Sequence, residues 1–407
     1  MTVSVDVFHG VRVVEVAEWV FVPVAGGMLA DWGADVIKIE HPVRGDGYRG
    51  LVSTGLASGG AVNQSWELAN RGKRSVGLDL KTEKGRALLL ELVASADVFL
   101  TSQLPSVLER LGLGVEQLRE VNPNLIYARG HGFGVRGPDA DKAAYDSTAY
   151  WARGGVEETL NQGISDAPLG PRGAFGDRQG ATQLAFGIAA ALFRRATTGE
   201  PSVVDVSLLA SAMWAVGSDV LSALQGNYRH AGPPGMKGIA NPLVENYETS
   251  DGRWLQLCFL QSDKSWPDFA RAIGRAELLD DERYGSHAAR AQNADALAEV
   301  IAETFRSRTL AEWREAFAPE RFPWAPFQRV DELADDPQIV ANGYVAELEY
   351  EGVGTYRFPT GAVQFDEQPA VLRRAPEHAQ DTELLLVEDL GHGWDEIVTL
   401  KDEGVIP

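Results

Sequence analysis

Apolar positions in the first third of the chain switch repeatedly between two periods. Residues 11–16 (VRVVEV) form a short β-branched run, the pattern of a strand buried on both faces. Residues 25–32 (AGGMLADW) have helical spacing, and Gly33 can end that helix. Residues 34–40 (ADVIKIE) return to strand character. The cycle repeats, with strands expected at 73–80 (KRSVGLDL), 97–101 (DVFLT) and 124–128 (NLIYA). Helices are expected at 83–95 (EKGRALLLELVAS) and through 107–111. Strands alternating with helices predict an open, mostly parallel α/β sheet.

After about Gly137 the pattern changes. Residues 182–195 read as a long apolar helix, and 203–215 as a strand followed by a helix. Residues 228–242 (YRHAGPPGMKGIANP) are rich in Gly and Pro, as expected of a linker or loop. A second unit runs from Asn246 to about Val330, opening with a hairpin pattern that turns at Asp251-Gly252 and continuing in helices. Weak strands (YVAELEYEGVGTYRF) and a closing helix complete the chain.

The 407 residues leave room for two or three domains, and 44% hydrophobic with 23% charged residues is ordinary for a globular protein. No run reaches the roughly 18 continuous apolar residues needed to cross a bilayer. The start (MTVSVDVFHG) lacks the basic residues and apolar core of a signal peptide. A single cysteine, Cys258, allows no internal disulfide and fits a reducing compartment, so a cytoplasmic protein with no membrane partner is expected. A net charge of −21 argues against a nucleic-acid partner. It leaves room for a phosphorylated ligand, because Arg44, Arg49, Arg71, Lys73, Arg74 and Lys81 cluster near the start.

Several motifs fail on inspection. Gly132–Gly137 matches GxGxxG after a strand, but Pro138-Asp139-Ala140-Asp141 reads as a turn where a dinucleotide site needs a helix N-terminus. Arg71–Ser75 lacks the first glycine of a phosphate loop. The seven histidines and Cys258 show no metal-ligand spacing, and no GxSxG elbow occurs. What remains is an α/β enzyme-sized protein with carboxylate-based chemistry.

Four segments together resemble the class III CoA-transferases (CaiB/BaiF type), the family of formyl-CoA, carnitine and bile-acid CoA-transferases and α-methylacyl-CoA racemases. They are LADWGADVIKIEHP, NRGKRSVGLDLKTEKGRALLLELVASADVFL, VLERLGLGVEQLREVNPNLIYARGHGFGVRGP, and the stretch from FGDRQGATQLAFGIAAALFRRATTGE to VDVSLLASAMW. The resemblance implies a large Rossmann-like α/β domain built from both chain ends, with a smaller α+β domain between them. The corresponding boundaries are 1–225, 226–330 with its flanking linkers, and 331–407. It also implies a homodimer of interlocked rings, and coenzyme A as a substrate thioester with no permanently bound cofactor.

The resemblance places the nucleophile, an aspartate in a loop before a long helix, at Asp177 in Phe175-Gly176-Asp177-Arg178-Gln179-Gly180. A carboxylate can attack a thioester carbonyl to form a mixed anhydride, and neighbouring glycines such as Gly176 allow close backbone approach. Read without the resemblance, Asp177 would be a helix N-cap. The CoA-binding positions carry over to His41, to Leu78, Asp79, Leu80 and Lys81 (the LDxK segment), and to Arg110. The family's Glu-Asn-Phe after the strand is Thr101-Ser102-Gln103 here, and its Gln-Ala active-site pair is Val20-Phe21. Asp146 matches an acidic position near the nucleophile, and a turn cap is its alternative role. A glycine-rich lid would fall near Lys237–Asn241, where only Gly238 remains. The leading expectation is CoA transfer from an acyl-CoA to a carboxylic acid, with intramolecular transfer as a close rival. A racemase would need the family's Gly-His-Asp, which is Ala144-Tyr145-Asp146 here, although His131 stands nearby in sequence. A non-catalytic CoA-ester-binding protein is the remaining alternative.

Overall fold

The structure is a computed structural model describing residues 5–51, 60–162, 164–165, 167–170, 173–228 and 241–407. It divides into two compact units, one comprising Met1–Ala231 with Gln338–Pro407 and the other Gly232–Pro337.

The first unit opens with β1 (Arg12–Val16), α1 (Phe21–Asp31), β2 (Asp35–Glu40), α2 (Gln64–Asn70), β3 (Arg74–Gly77) and α3 (Glu83–Ala94). It continues with β4 (Val98–Thr101), α4 (Pro105–Leu111), α5 (Val115–Val121), β5 (Ile126–His131) and a π-helical turn at Asp146–Ala152. Next come α6 (Val156–Asn161), α7 (Phe175–Thr198), β6 (Val203–Ser207), α8 (Leu208–Ala215) and α9 (Gly217–Leu224). Six strands form one parallel sheet in the order β3-β2-β1-β4-β5-β6. Because side chains alternate across a strand, each β-branched run serves two cores. Val13, Val36 and Val98 join α1 and α7 on one face, while Val14, Ile37 and Phe99 join α3 and the C-terminal helices on the other. The strand order reverses direction between β1 and β4, which opens a crevice at their carboxyl ends.

The second unit holds the antiparallel sheet β7 (Asn246–Glu248), β8 (Trp254–Leu257) and β9 (Trp324–Pro326), with the expected turn at Gly252. Its helices α10 (Ser262–Ala272), α11 (His287–Gln292), α12 (Ala294–Phe305) and α13 (Leu310–Phe317) close over an aromatic core that includes Trp266, Phe269, Phe305, Trp313 and Phe317. The chain then passes through α14 (Pro337–Ala341) to the hairpin β10 (Val345–Tyr350) and β11 (Gly354–Pro359). It closes with two helices, α15 (Thr382–Glu388) and α16 (Trp394–Asp402), where the sequence pattern suggests one. No helix of the described residues is long and apolar enough to cross a membrane.

Two helices begin earlier than the apolar spacing indicates. α1 starts at Phe21 and not Ala25, because Pro23 lies in the first turn, where a missing N–H costs nothing. α7 starts at Phe175 and not Thr182, so Asp177 lies inside the first turn and neither in a preceding loop nor at the N-cap. Its first turns carry Gly176, Arg178, Gln179 and Gly180, a polar, glycine-containing stretch that hides helical character from an apolar count.

Most of the early basic cluster is internal. Lys38 Nζ meets Glu15 at 3.1 Å and Asp46 at 2.8 Å, Lys73 Nζ meets Glu15 at 2.8 Å, and all four side chains are fully shielded from water. Two cations and two anions make this set neutral, and the carbonyls of Ala17 and Pro23 and the Asn70 side chain accept the remaining ammonium hydrogens. Arg49 forks onto Glu40, Arg71 onto Asp31, and Arg74 onto Asp35. Of the six cations grouped by sequence, these pairings engage Arg49, Arg71, Lys73 and Arg74. Lys38→Met would leave Glu15 with only Lys73 and Asp46 without its cation, an uncompensated buried charge. Equilibrium urea unfolding should show a loss of about 3–5 kcal/mol, and an unchanged midpoint would contradict this account of the core.

Candidate active site

A cleft lies at the carboxyl ends of β1 to β4, where the switch in strand order predicts a ligand. Its floor is apolar, from Val16, Ile39, Leu78 and Leu111, and its basic side chains are Arg44, Lys81 and Arg110 with the His41 imidazole beside them. The cleft therefore gathers His41, Leu78, Asp79, Leu80, Lys81, Gln103 and Arg110 from three separate sequence segments. Its volume is about 190 Å³, below the roughly 300–1,000 Å³ of a site that encloses a drug-sized ligand, so it can seat one end of a longer molecule. His41 Nδ1 accepts the amides of Val43 and Arg44, which leaves Nε2 as the protonated nitrogen. Arg110 lies in the last turn of α4, where the helix dipole favours a cation. The Asp79 carboxylate accepts from the Lys81 amide and so shapes the turn that presents Lys81. Ser102 is not in the lining, because its hydroxyl accepts the Glu18 amide across the β1–β4 gap at 3.1 Å.

The second part of the site is the start of α7. No side chain caps this helix from its own N-cap residue, Ala174, which is left-handed at φ 59°. The Asp146 carboxylate from the π-helical turn stands there instead. The amides of Gly176, Asp177 and Phe175 act on it, and its Oδ2 accepts the Trp151 indole N–H at 3.3 Å. A Cβ on Gly176 would come within 2.5 Å of Asp146 Oδ1 and 2.2 Å of the Tyr150 ring, so only glycine fits this approach. Burial lifts the Asp146 carboxyl above the usual range, against the indole and the amides. Asp177 is pushed up to about 7, first by burial and then by the charge of Asp146, with Arg178 pulling the other way. Asp177, with a second buried carboxyl beside it, thus exchanges its proton close to neutral pH.

Two loops connect this carboxylate pair to the cleft. After β1, Ala17 and Glu18 line the cleft while Phe21 packs where a Cβ on Gly180 of α7 would lie within 2.7 Å. After β2, His41 and Arg44 line the cleft while Tyr48 is close enough that Asp177 and Arg178 act on its phenol. Asp46 ties the loops together, its Oδ1 accepting from the amides of Trp19 at 3.0 Å and Tyr48 at 2.9 Å. Trp19 is held at φ 74°, a left-handed backbone that costs a bulky residue about 1–3 kcal/mol. Its indole meets the Tyr145 ring edge-on at 5.5 Å.

The structure therefore gathers Tyr145, Asp146, Gly176 and Asp177 in one place. His131, 4% exposed with neither ring nitrogen partnered among the described residues, lines another cavity with Phe133, Gln183 and Trp214. Burial and then Arg129 lower its pKa to about 4, so it is neutral and a poor base at pH 7. Gly238 and the rest of the suggested lid up to residue 240 lie outside the described residues. Sequence reading missed Trp19, Asp46 and Tyr48, which reach the site through the buried ion set. Of the six cations grouped by sequence, Arg44 and Lys81 are the two that line the cleft.

A doubly wound α/β fold, a cationic crevice at its switch point and a proton-holding carboxylate pair beside it define an acid/base or acyl-transfer type of site. The sequence matches the family described as CoA-transferase family III over residues 8–382, and the chain belongs to that family. It is an enzyme of the CoA-transferase type. It is 33% identical over 401 residues to (R)-2-hydroxy-4-methylpentanoate CoA-transferase of Clostridioides difficile, covering 98% of this chain and 99% of that one. It is also 33% identical over 408 residues to cinnamoyl-CoA:phenyllactate CoA-transferase of Clostridium sporogenes, covering 99% and 98% of the two chains. Among solved structures, a CaiB/BaiF family protein from Brucella suis superposes with a TM-score of 0.76 at 28% identity, over 94% of this chain and 99% of that one.

Because the Asp177 carboxyl titrates near pH 3.8 when unfolded and about 7 when folded, the folded chain keeps a proton that the unfolded chain releases. The associated stability is present below pH 3.8 and is lost as pH rises through about 7. Asp177→Asn cannot ionise, so relative to the native protein it should gain stability from pH 4 to pH 8, at about 1.4 kcal/mol per pKa unit. Thermal or urea midpoints of both proteins across this range would show a constant difference if the raised value were wrong.

Proposed function

We propose that this enzyme moves coenzyme A from an acyl-CoA to a free carboxylic acid, with Asp177 as the covalent relay. The observation that carries the reading is the pair of loops running from the cationic cleft to Asp177. An extended ligand can rest its nucleotide phosphates near His41, Arg44, Lys81 and Arg110, its adenine on the apolar floor, and its thioester against the start of α7. Ionised Asp177 attacks the thioester carbonyl, the C–S bond breaks, and CoA leaves as thiolate with a mixed anhydride on the enzyme. The thiolate then attacks the aspartyl carbonyl, expels the first acid as its carboxylate, and leaves an aspartyl-CoA thioester. The acceptor carboxylate attacks that thioester and releases the thiolate. Attack of the thiolate on the acceptor's carbonyl frees Asp177 and forms the new acyl-CoA. Asp146, by raising the Asp177 pKa, makes the aspartate a better nucleophile when ionised and a poorer leaving group when acylated.

Racemisation fits the site less well. The family's histidine is Tyr145 here, a poor proton shuttle at neutral pH, and His131 is buried in another cavity.

Mass spectrometry of CoA esters after incubation with mixed acyl-CoAs and acids tests the proposal. Asp177→Ala should still bind CoA but lose transfer by roughly 10³-fold or more. In the native enzyme kcat/KM should rise with pH to a plateau above about 7, as the Asp177 carboxyl ionises. Near-normal transfer by the alanine variant would remove the covalent relay.

We also propose a cytoplasmic, interlocked homodimer. Phe186 and Phe193 on α7 and Trp214 on α8 are each more than two-thirds exposed, as is Leu224 on α9 at 76%, an apolar surface that a second copy would cover. Sedimentation should show a dimer with no folded monomer on dilution to nanomolar concentration. A stable monomer would rule out interlocking.

A further inference from the structure

Near the start of α7, aromatic side chains are gathered to a degree that transfer chemistry alone does not require. Tyr150, Trp151 and Phe175 pack mutually with centroid separations of 5.5 to 6.4 Å beside the Asp146 carboxylate. Trp19 and Tyr145 form a second, edge-to-face pair, and Tyr145, the residue before Asp146, is 54% exposed. The placement of Trp19 is built. Its left-handed backbone is fixed by its amide bonding to Asp46, and Asp46 is fixed by Lys38, with neither of those side chains reached by water. Its indole lies over Gly47, where a Cβ would come within 3.0 Å of the ring, and the next residue, Tyr48, is the one on which Asp177 acts. A strained tryptophan anchored by a buried ion pair at the edge of the carboxylate pair is an expensive way to fill space. Backbone outliers of this kind cluster where a protein holds a ligand.

We propose that Trp19 and Tyr145 form the wall against which the acyl chain rests, and that they select acyl groups with an aromatic or branched apolar body. This rests on the CoA-transfer reading above and adds the substrate class to it. An apolar acyl chain leaving the thioester near Asp177 meets two ring systems, and burying its carbons against them is favourable. A second carboxylate on the chain would instead meet these rings and the carboxylate of Asp146, a combination that disfavours dicarboxylic acyl groups. Arg178, the cation beside Asp177 on the same helix, turns one guanidinium nitrogen to the Ala174 carbonyl.

The test compares kcat/KM for 3-phenylpropanoyl-CoA, 4-methylpentanoyl-CoA, acetyl-CoA and succinyl-CoA with one fixed acceptor acid, in the native enzyme, Trp19→Gly, Trp19→Phe and Tyr145→Ala. Glycine adopts the left-handed backbone without strain, so Trp19→Gly removes the indole and keeps the turn, and near-native circular dichroism and urea midpoint confirm its fold. The native enzyme should prefer both bulky acyl groups to acetyl and succinyl. The ratio of bulky to acetyl should fall by roughly 10- to 200-fold in Trp19→Gly, as expected for loss of an apolar pocket wall, with partial recovery in Trp19→Phe. A native preference for succinyl-CoA, or a bulky-to-acetyl ratio that survives in both Trp19→Gly and Tyr145→Ala, overturns the inference while leaving CoA transfer intact. Absence of CoA exchange with every acyl-CoA overturns both.

Discussion

Four charges without access to water hold the first unit in register. Glu15 projects from β1 on the face that packs against α1, where an isolated carboxylate would cost many kcal/mol. Lys38 from β2 and Lys73 from the start of β3 both reach it, and Asp46 from the loop after β2 completes a neutral set. Such a set is not an efficient source of stability, since desolvation offsets most of its Coulomb energy. Its effect is geometric. Each charge must find its partners, so three strands and two loops can close in only one arrangement.

That arrangement fixes the site. The loop after β1 is held by the Lys38 bond to the Ala17 carbonyl and by the Asp46 bond to the Trp19 amide. The loop after β2 is held by Asp46 and by Glu40, whose carboxyl is buried yet kept at about 2 by the Arg49 fork, the charges of Lys38 and Arg49, and the Ser75 hydroxyl. Between them these loops supply one side of the cationic cleft and one side of the Asp177 surroundings. The opposite side of the latter is α7, whose close approach depends on Gly176 and Gly180. The cationic cleft and the carboxylate pair therefore share a scaffold without sharing residues.

The electrostatics of the carboxylate pair follow from the same close packing. Asp146 stands at the start of α7 and so brings its charge close to Asp177. A helix start normally lowers the pKa of a nearby acid. Here burial and a like charge outweigh the dipole, and Asp177 is left poised near neutrality.

Much of this was legible along the chain. The β-branched runs of β1, β2 and β4, the amphipathic α3 and the hairpin turn at Gly252 are local patterns, and local patterns survive folding because each depends on near neighbours. The LDxK segment, His41, Arg110 and Asp177 stood out through motifs and not through physics alone, and the fold brings His41, the LDxK segment and Arg110 into one cleft. What the sequence could not reveal depends on pairs far apart in it. Lys73 and Arg71 look like ligand-binding cations until their partners, Glu15 and Asp31, are brought against them from 58 and 40 residues away. Trp19 is an unremarkable aromatic residue until Asp46, 27 residues on, fixes its backbone. An aspartate that would titrate near 3.8 in the unfolded chain does so at about 7 only when Tyr150, Asp146 and α1 close around it, because burial and Coulomb interaction act through space and leave no trace in linear order.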